Sequence, residues 1–245
     1  MRNIKIVVEY DGTNYHGWQR QANEITIQEV LEEKIGIITG EKITISGSGR
    51  TDAGVHAINQ VASFKTTSEI RESNLLRAIN SLIPHDIALK SLTQVDEAFH
   101  ARYDAKSKSY LYKIYNRPVR SALYKNYSWH VRSALDIDAM RRAALCLKGT
   151  QDYSSFCAAN GDSQDNIRTI MDMEFSVSEK GMVTFSIRAD GFLRYMVRKI
   201  MGTLVDVGKG KMDDAGFSDV LKARDRTKAG ITAPPQGLLL KEVHY

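Results

Sequence analysis

Apolar and polar residues alternate over positions 1–95 in blocks that predict four strands and two helices. The first strand, Asn3 to Tyr10, is rich in β-branched residues and ends at a turn dipeptide, Asp11-Gly12. The first helix follows the capping pair Thr26 and Glu29. The other predicted elements are strands at Lys42–Ile45, Gln60–Thr66 and Ile87–Val95, and a helix carrying Leu75, Leu76, Ile79, Leu82 and Ile83 that Pro84 ends. This β-α-β-β-α-β order predicts a ferredoxin-like antiparallel sheet with its helices on one face.

The second half of the chain predicts the same element order more loosely, with an insertion at about Tyr153 to Asn166. The predicted elements are a strand at Ser109–Tyr115, a helix at Leu135–Leu147 with Asp136 as N-cap, a hairpin of Ile170–Val177 and Val183–Ala189, helices at Phe192–Val207 and Asp213–Ala223, and a strand at Leu238–Val243. We therefore expect an α+β fold. Two similarly built ferredoxin-like halves, residues 1–105 and 106–245, would form an extended mixed, mainly antiparallel sheet with helices packed on it.

Composition and charge narrow the class of protein only slightly. No apolar run is long enough to span a bilayer, and the N-terminus lacks the apolar core of a signal peptide, so we expect a cytoplasmic protein without a membrane partner. The two cysteines, Cys146 and Cys157, lie in no CxxC, which argues against a metal site or a disulfide framework. A net charge of +5 permits nucleic-acid binding, although a solvated basic surface explains it equally well.

The stretch SGSGRTDAGVHA, Ser46 to Ala57, combines three glycines with Arg50, Asp52 and His56. It matches neither a P-loop nor a calcium loop. An Asx turn would explain Asp52, since its carboxylate would then bind a nearby backbone N–H. An active site would also explain it, because glycines allow close approach to a ligand and loops between strands often carry reactive groups. Both interpretations stay open on these residues alone.

A second candidate is the predicted helix FLRYMVRKIMGTLVDV, Phe192 to Val207. Four of its residues share one face at helical spacing, namely Arg194, Arg198, Met201 and Val205. We expect Arg198 to project from a half-buried surface, where a guanidinium is costly without a carboxylate partner. A carboxylate from the other half, such as Asp52, would serve. An arginine whose stem covers apolar surface while its head stays in water explains the pattern equally well.

Aromatic residues lie close to basic ones in two further stretches. In FHARYDAKSKSYLYKIYN, Phe99 to Asn116, three basic residues precede three tyrosines: Arg102, Lys106 and Lys108, then Tyr110, Tyr112 and Tyr115. Such a mixture suits single-stranded RNA, although tyrosine also simply favours strands. In YDGTNYHGWQRQ, Tyr10 to Gln21, we expect Tyr15 and Trp18 in a surface binding loop, with core packing of Trp18 as the alternative.

Together these stretches resemble the A-type tRNA pseudouridine synthases. The segments that carry the resemblance are YDGTNYHGWQRQ, SGSGRTDAGVHA, FHARYDAKSKSYLYKI, FLRYMVRKIMG and APPQGLLL, which come in that family's order and cover nearly the whole chain. The GRTDAGVH run is highly specific. The resemblance implies the pseudouridine synthase fold and an isomerase that converts uridine to pseudouridine in the tRNA anticodon stem-loop, at positions 38, 39 and 40. It also implies a homodimer that needs no cofactor and no metal.

The resemblance also assigns roles to four residues of this chain. It implies that Asp52 is the catalytic carboxylate and that Arg50 helps to displace the target nucleotide. It implies that Tyr110 lies against the target base and that Arg198 pairs with Asp52. These residue types suit the chemistry, because a carboxylate can attack the sugar or assist glycal formation only while it is ionised, and a nearby guanidinium would lower its pKa. A target inside a helical stack must also be extruded before it can react.

Two other functions remain as alternatives. A nucleoside or glycoside hydrolase using Asp52 would normally need a second carboxylate for acid catalysis, and none stands out near these motifs. A non-catalytic RNA-binding module would explain the charge and the tyrosines, but it would not explain an aspartate in a basic loop. Free uracil would indicate the hydrolase, unchanged RNA the binding module, and pseudouridine the isomerase.

Overall fold

The computed structural model describes residues 1–159 and 165–245, which form two compact units. Unit 1 comprises residues 1–106 and 240–245, and unit 2 comprises residues 107–239. Compactness does not establish that either unit folds alone, so the division into residues 1–105 and 106–245 stays a prediction. The insertion expected at Tyr153–Asn166 runs through residues 160–164, which lie outside the described residues. Within the described part of the chain, no helix has the length and hydropathy that crossing a membrane requires.

Unit 1 has the predicted β-α-β-β-α-β order. Its elements are β1 (Arg2–Tyr10), α1 (Ile27–Thr39), β2 (Ser46–Gly47), β3 (His56–Thr66), α2 (Glu72–Leu82) and β4 (Ile87–Val95). Strand β1 lies between β3 and β4 and is antiparallel to both, and β2 pairs antiparallel with β3. The antiparallel sheet predicted for this half is therefore confirmed.

The core of unit 1 follows the two sequence periodicities. Alternate residues of β1, which include Ile4 and Ile6, have no exposed surface, and Leu31 and Ile35 on α1 are equally buried. Helix α1 begins where predicted, because the Thr26 side chain accepts a hydrogen bond from the Glu29 N–H. The connection between β2 and β3 therefore begins and ends in strands that are paired within this sheet.

The strand predicted at Lys42–Ile45 is wrong, because the described strand comprises only Ser46 and Gly47. Side chains of α1 take the backbone groups that a neighbouring strand would have used. The Ile45 N–H donates to the Glu32 carboxylate at 2.9 Å, and the Ile45 carbonyl accepts from the Gln28 amide at 3.1 Å. Both side chains are buried, so this polar pairing is fixed within the core.

Unit 2 repeats the predicted order with additional short strands. Its elements are β5 (Ser107–Asn116), β6 (Trp129–Val131), α3 (Ile137–Ala144), β7 (Gly149–Asp152), β8 (Ile167–Val177), β9 (Met182–Ala189), α4 (Met196–Gly208) and α5 (Asp214–Ala223). The final strand, β10 (Leu238–His244), begins in unit 2, and its last five residues belong to unit 1. The strands run in the order β5-β9-β8-β7, antiparallel throughout, with β6 parallel to β5. The α+β class and the predicted β8–β9 hairpin are confirmed.

Two helices of unit 2 begin later than predicted. Helix α3 starts at Ile137, because the Asp136 carboxylate accepts from the Ala139 N–H at 2.8 Å and so caps the helix. Helix α4 starts at Met196 rather than at Phe192. The residue before it, Tyr195, has φ +68°, a left-handed conformation that a right-handed helix does not contain. Arg194 therefore lies in a turn, so its predicted place on the helix with Arg198 is wrong.

Candidate active site

Asp52 lies in a tight turn that precedes β3, and its side chain is half-buried. The Val55 N–H donates to the Asp52 carbonyl at 3.1 Å, and Gly54 has φ +75°. A type II turn needs a positive φ at this position, which glycine supplies without strain. An Asx turn would use the Gly54 N–H, which instead donates to the Tyr15 carbonyl at 3.2 Å. The main-chain hydrogen bonds therefore close this turn, and the Gly54 N–H that an Asx turn would need is used by Tyr15.

The segment of residues 10–21, called here the strap, holds the Asp52 turn by its main chain. The Trp18 N–H donates to the Thr51 carbonyl at 3.1 Å, and the Tyr15 carbonyl accepts from Gly54. Gly17 has φ +91°, and a Cβ there would clash with the Thr51 carbonyl oxygen. The strap can therefore approach this closely only with glycine at position 17.

The aromatic residues of the strap are part of the core. Tyr15 is 6% exposed and Trp18 is 1% exposed, so the predicted surface binding loop is wrong and the alternative of core packing is confirmed for Trp18. The indole lies 6.0 Å from the Tyr10 ring, centroid to centroid, and fills the space beside Gly47. Burying an aromatic ring contributes a large apolar area, which fixes the strap against the sheet.

Buried polar side chains of β1 and β3 form hydrogen bonds to the residues that precede Asp52. The Tyr10 hydroxyl lies 2.7 Å from the Thr51 hydroxyl, and burial raises the pKa of Tyr10 well above its usual value. The Gln60 amide donates to the Gly49 carbonyl at 2.9 Å and accepts from the Ser48 hydroxyl at 2.7 Å. Main-chain groups on both sides of residues 50–52 are thus fixed by satisfied hydrogen bonds, which makes the turn a preorganised platform.

Arg50 lies on the exposed side of the same turn. Its Nε donates to the Gln19 side chain of the strap at 3.3 Å. The guanidinium and the Asp52 carboxylate therefore come from one rigid turn, separated by one residue. Such a pair can present a cation to a phosphate and a carboxylate to a sugar of the same nucleotide.

In unit 2, Tyr110 lies on the buried face of β5. It shares that face with Tyr112 and Ile114, as the alternation predicted, and all three are buried. The ring of Phe192 meets Tyr110 edge to face, with centroids 5.0 Å apart. This contact fixes the orientation of the Tyr110 ring.

Arg198 lies in the first turn of α4. Its Nε donates to the Ala233 carbonyl at 2.8 Å, and the Ala233 N–H donates to the Arg198 carbonyl at 3.0 Å. The guanidinium carbon lies 5.0 Å from the centre of the Tyr195 ring. The first turn carries no acidic residue, and the positive end of the helix dipole disfavours a cation there. An anion bound beside the guanidinium would offset the unfavourable interaction between the arginine charge and the helix dipole.

Helix α4 and the segment that carries Ala233 are joined closely. The buried Lys199 donates from Nζ to the Gly230 carbonyl at 3.0 Å, and the Gly230 N–H donates to the Thr203 hydroxyl at 2.9 Å. A Cβ on Gly202 would clash with the Ile231 carbonyl oxygen. These contacts fix the backbone that binds Arg198.

The four predicted site residues thus divide between the units, with Arg50 and Asp52 in unit 1 and Tyr110 and Arg198 in unit 2. The Asp52–Arg198 pair stays a prediction. The sequence analysis missed the supporting residues Tyr10, Gln60 and Lys199, because a polar side chain inside an apolar run has no local signal of its partner. Tyr10 and Lys199 lie within two of the motifs, whereas Gln60 lies outside all of them.

Comparisons with known proteins agree with the resemblance seen in the sequence. A family model described as tRNA pseudouridine synthase matches residues 6–104 and 143–245. The chain is 49% identical to a tRNA pseudouridine synthase A of Thermoanaerobacter sp. (strain X514), 46% to one of Acetivibrio thermocellus and 42% to one of Clostridium acetobutylicum, over 100% of both chains in each case. Among solved structures, a Cbf5-Nop10-Gar1 complex matches at 12% identity with a TM-score of 0.37, over 96% of this chain and 57% of that one.

Proposed function

This chain belongs to the tRNA pseudouridine synthase family and isomerises uridine to pseudouridine in tRNA, and on that premise we propose that Asp52 is its catalytic carboxylate. We propose further that the target uridines lie in the anticodon stem-loop. The observation that carries the assignment is the Asp52 turn itself. Its main chain is fixed by the strap and by Gln60, so the residue that carries the carboxylate is held in place before any ligand binds.

The reaction breaks the C1′–N1 bond, forms a C1′–C5 bond, removes the proton from C5 and adds one at N1. In one route the carboxylate attacks C1′, and the bonding electron pair leaves with uracil as an anion. After the ring turns, C5 displaces the carboxylate. In the other route, loss of the C2′ proton gives a glycal, to which C5 and that proton then add. Both routes need an ionised carboxylate and exclusion of water.

The other proposed roles follow from where each side chain is held. Arg50, exposed on the same turn, would occupy the space that the extruded nucleotide leaves. Arg198 would keep the Asp52 carboxylate ionised, and its binding by Ala233 and Tyr195 would limit the orientations of its guanidinium. Tyr110, oriented by Phe192, would lie against the target base.

Tritium release tests the function and the Asp52 assignment together. tRNA labelled at uridine C5 must lose its label when the C1′–C5 bond forms. We expect release by the wild type and a fall of about 10⁴-fold or more in kcat for Asp52→Asn, with tRNA binding retained. Asp219→Asn is the matched control, because it removes an equal charge from an exposed position on α5.

The products separate the remaining outcomes. Free uracil in place of pseudouridine would mean hydrolysis. Release that survives Asp52→Asn would leave the reaction intact and remove Asp52 from its role. Label retained in every tRNA tested would contradict isomerisation by this chain.

We also propose a cytoplasmic homodimer that acts without a cofactor or metal. The tRNA substrate favours that compartment, and the dimer is what the resemblance to the A-type tRNA pseudouridine synthases implies. Light scattering on the purified chain tests the dimer, and a monomeric mass at micromolar concentration would contradict it. Turnover measured after chelator treatment tests the metal independence.

A further inference from the structure

Residues 117–135 of unit 2 form a basic stretch without a single Asp or Glu. The stretch connects β5 to β6 and continues towards α3, and it lies between the two ranges that the family model matches. Its four cations and three large aromatic residues are Arg117, Arg120, Lys125 and Arg132, with Tyr124, Tyr127 and Trp129. Basic and aromatic side chains mixed in this way suit an RNA backbone.

The stretch contributes to a shallow cavity of about 510 Å³ in unit 2. No carboxylate lines this cavity, and its two cations, Arg132 and Lys209, are exposed. Among the described residues, neither cation forms an ion pair with an Asp or Glu. The main lining residues are Pro118, Trp129, His130, Arg132, Ser133 and Lys209.

The backbone around the cavity is fixed before any ligand binds. The Asn116 amide donates to the carbonyls of Val131 at 2.8 Å and Ser133 at 2.7 Å, on both sides of Arg132. The His130 Nε2 lies 2.8 Å from the Arg117 carbonyl, which can only accept, so Nε2 carries a proton. A cation on a fixed backbone loses less entropy on binding a phosphate than one on a mobile loop.

The cavity lies away from the proposed catalytic residues of its unit. Arg198 is in the first turn of α4, whereas Lys209 caps the other end. Lys209 follows Arg198 by eleven positions, which at about 1.5 Å per residue corresponds to about 16 Å along the helix. That distance corresponds to about five nucleotides of a stacked strand at roughly 3.4 Å each. A ligand in this cavity is therefore not the reacting uridine.

A second cavity in unit 2 provides a contrast. It also has basic lining residues, including Lys148 and Lys222, and a similar volume of about 530 Å³. Its third cation, Arg224, is paired with the Asp152 carboxylate at 3.2 Å. The carboxylate reduces the attraction of that cavity for a phosphate.

We propose that the first cavity binds the sugar-phosphate backbone of the tRNA substrate at a distance from the reacting nucleotide. Arg132 and Lys209 pair with backbone phosphates, and Trp129 forms an apolar wall for the intervening sugar. The contact adds affinity without reading sequence. This inference rests on the proposed action on tRNA, and it assigns a function to a surface that the catalytic residues do not occupy.

The test compares two pairs of charge-removing substitutions. The test variant is Arg132→Gln with Lys209→Gln, and the matched control is Lys148→Gln with Lys222→Gln, which removes the same charge from the same unit. We expect the test variant to raise KM and the Kd of fluorescent tRNA about tenfold, with kcat within about twofold of wild type. We also expect the slope of log Kd against log salt to become shallower by about 1.5, the value for two lost phosphate contacts. The control should leave all of these near wild type.

Equal effects of the two variants, or a wild-type Kd and salt slope in the test variant, would overturn the proposal. A changed oligomeric state by light scattering with an unchanged Kd would instead assign the surface to a contact between protein copies, and would also overturn it. The binding measurement does not depend on turnover. A wild type that releases no tritium would therefore contradict the proposed function, while the Kd comparison would still decide the site.

Discussion

Tyr10 supports the Asp52 turn through Thr51 rather than by contact with the carboxylate. The hydrogen bond between the two hydroxyls is buried. A buried group that loses its partner costs more free energy than the bond itself contributes, because the group was desolvated on folding. We therefore expect removal of the Tyr10 hydroxyl to loosen the position of the turn.

Tyr10→Phe should lower both stability and turnover. We expect a loss of about 1 kcal/mol in the free energy of unfolding, from the broken hydrogen bond and the Thr51 hydroxyl left behind. We also expect kcat to fall by about tenfold as the turn loosens. Urea unfolding and tritium release measure the two effects.

Tyr245→Phe is the control, because the Tyr245 hydroxyl donates to the Ala101 carbonyl at 2.6 Å in the same unit but outside the site. It should reduce stability and leave kcat unchanged. An unchanged kcat in Tyr10→Phe as well would show that Thr51 holds its place without that bond.

Lys199 gives unit 2 a pH dependence of known sign. Burial lowers the pKa of Lys199, and the nearby charge of Arg226 lowers it further. The unfolded chain therefore holds this proton up to a higher pH than the folded protein does. The penalty of burying the charge is complete below the folded pKa, and it is relieved as pH rises from that value towards about 10.4, the usual pKa of lysine.

The free energy of unfolding of the wild type should accordingly rise with pH relative to that of Lys199→Met. The slope of the difference is at most about 1.4 kcal/mol per pH unit. Urea unfolding of both proteins at several pH values between about 7 and 10 measures it. A difference that stays constant over this range would mean that Lys199 titrates as it does in the unfolded chain.

At the scale of elements, the strap and the β2–β3 connection pack at a distance that only glycine permits. Two glycines on the strap, Gly12 and Gly17, approach the main chain of residues 51–55 where a Cβ would clash. Unit 2 has a similarly close contact, because a Cβ on Gly202 of α4 would clash with the Ile231 carbonyl oxygen. Helical glycine is normally replaced by alanine with a gain in stability, and here the close packing reverses that expectation.

Gly17→Ala should displace the strap from the Asp52 turn. The added Cβ meets the Thr51 carbonyl, and φ +91° is unfavourable for alanine, so we expect a loss of about 2 to 4 kcal/mol in stability. We also expect kcat to fall by about 100-fold, because the Asp52 carboxylate moves with Thr51. Urea unfolding and tritium release report the two changes.

Gly40→Ala is the matched control in the same unit. Gly40 has φ +71° at the end of α1, and a Cβ there meets nothing within 4 Å. It should therefore cost about 1 kcal/mol from backbone strain alone and leave kcat unchanged. A similar loss of kcat in both variants would indicate that global destabilisation, rather than displacement of the turn, lowers the activity.

At the scale of the whole molecule, the end of the chain completes the first unit rather than the second. The Lys241 carbonyl accepts from the Asn59 amide at 2.9 Å, and the His244 carbonyl accepts from the Lys106 N–H at 2.8 Å. Leu240 and Val243 are buried. Unit 1 is therefore assembled from segments at both ends of the sequence, which requires long-range contacts during folding.

Deletion of residues 240–245 should destabilise unit 1 selectively. The loss of two buried apolar side chains alone removes about 3 to 6 kcal/mol, a large fraction of the stability of a typical domain. Hydrogen exchange should show faster exchange of β3 amides than of β8 and β9 amides. Glu242→Gln, at an exposed position of the same strand, should leave the exchange pattern unchanged. Uniform acceleration over both units would contradict a selective effect.

Local patterns predicted the elements whose stability comes from their own residues. Thr26 caps α1 and Asp136 caps α3 as expected, and β1 and the β8–β9 hairpin lie where alternation placed them. The predictions were wrong where tertiary contacts or an unusual backbone conformation overrode the local preference for a strand or a helix. The backbone of Ile45 binds side chains of α1, and the left-handed Tyr195 removes Arg194 from the predicted helix.

The amino-acid sequence by itself determined the family, the order of the main elements and the candidate residues Arg50, Asp52, Tyr110 and Arg198. These follow from short motifs and from periodicities of two and 3.6 residues, which are local properties of the chain. Tertiary structure alone decided that the strap binds the main chain of the Asp52 turn, that Trp18 is core and that Lys199 anchors Gly230. Each of these depends on close packing and hydrogen bonds between residues far apart in the chain, and no periodicity records which buried polar groups will meet.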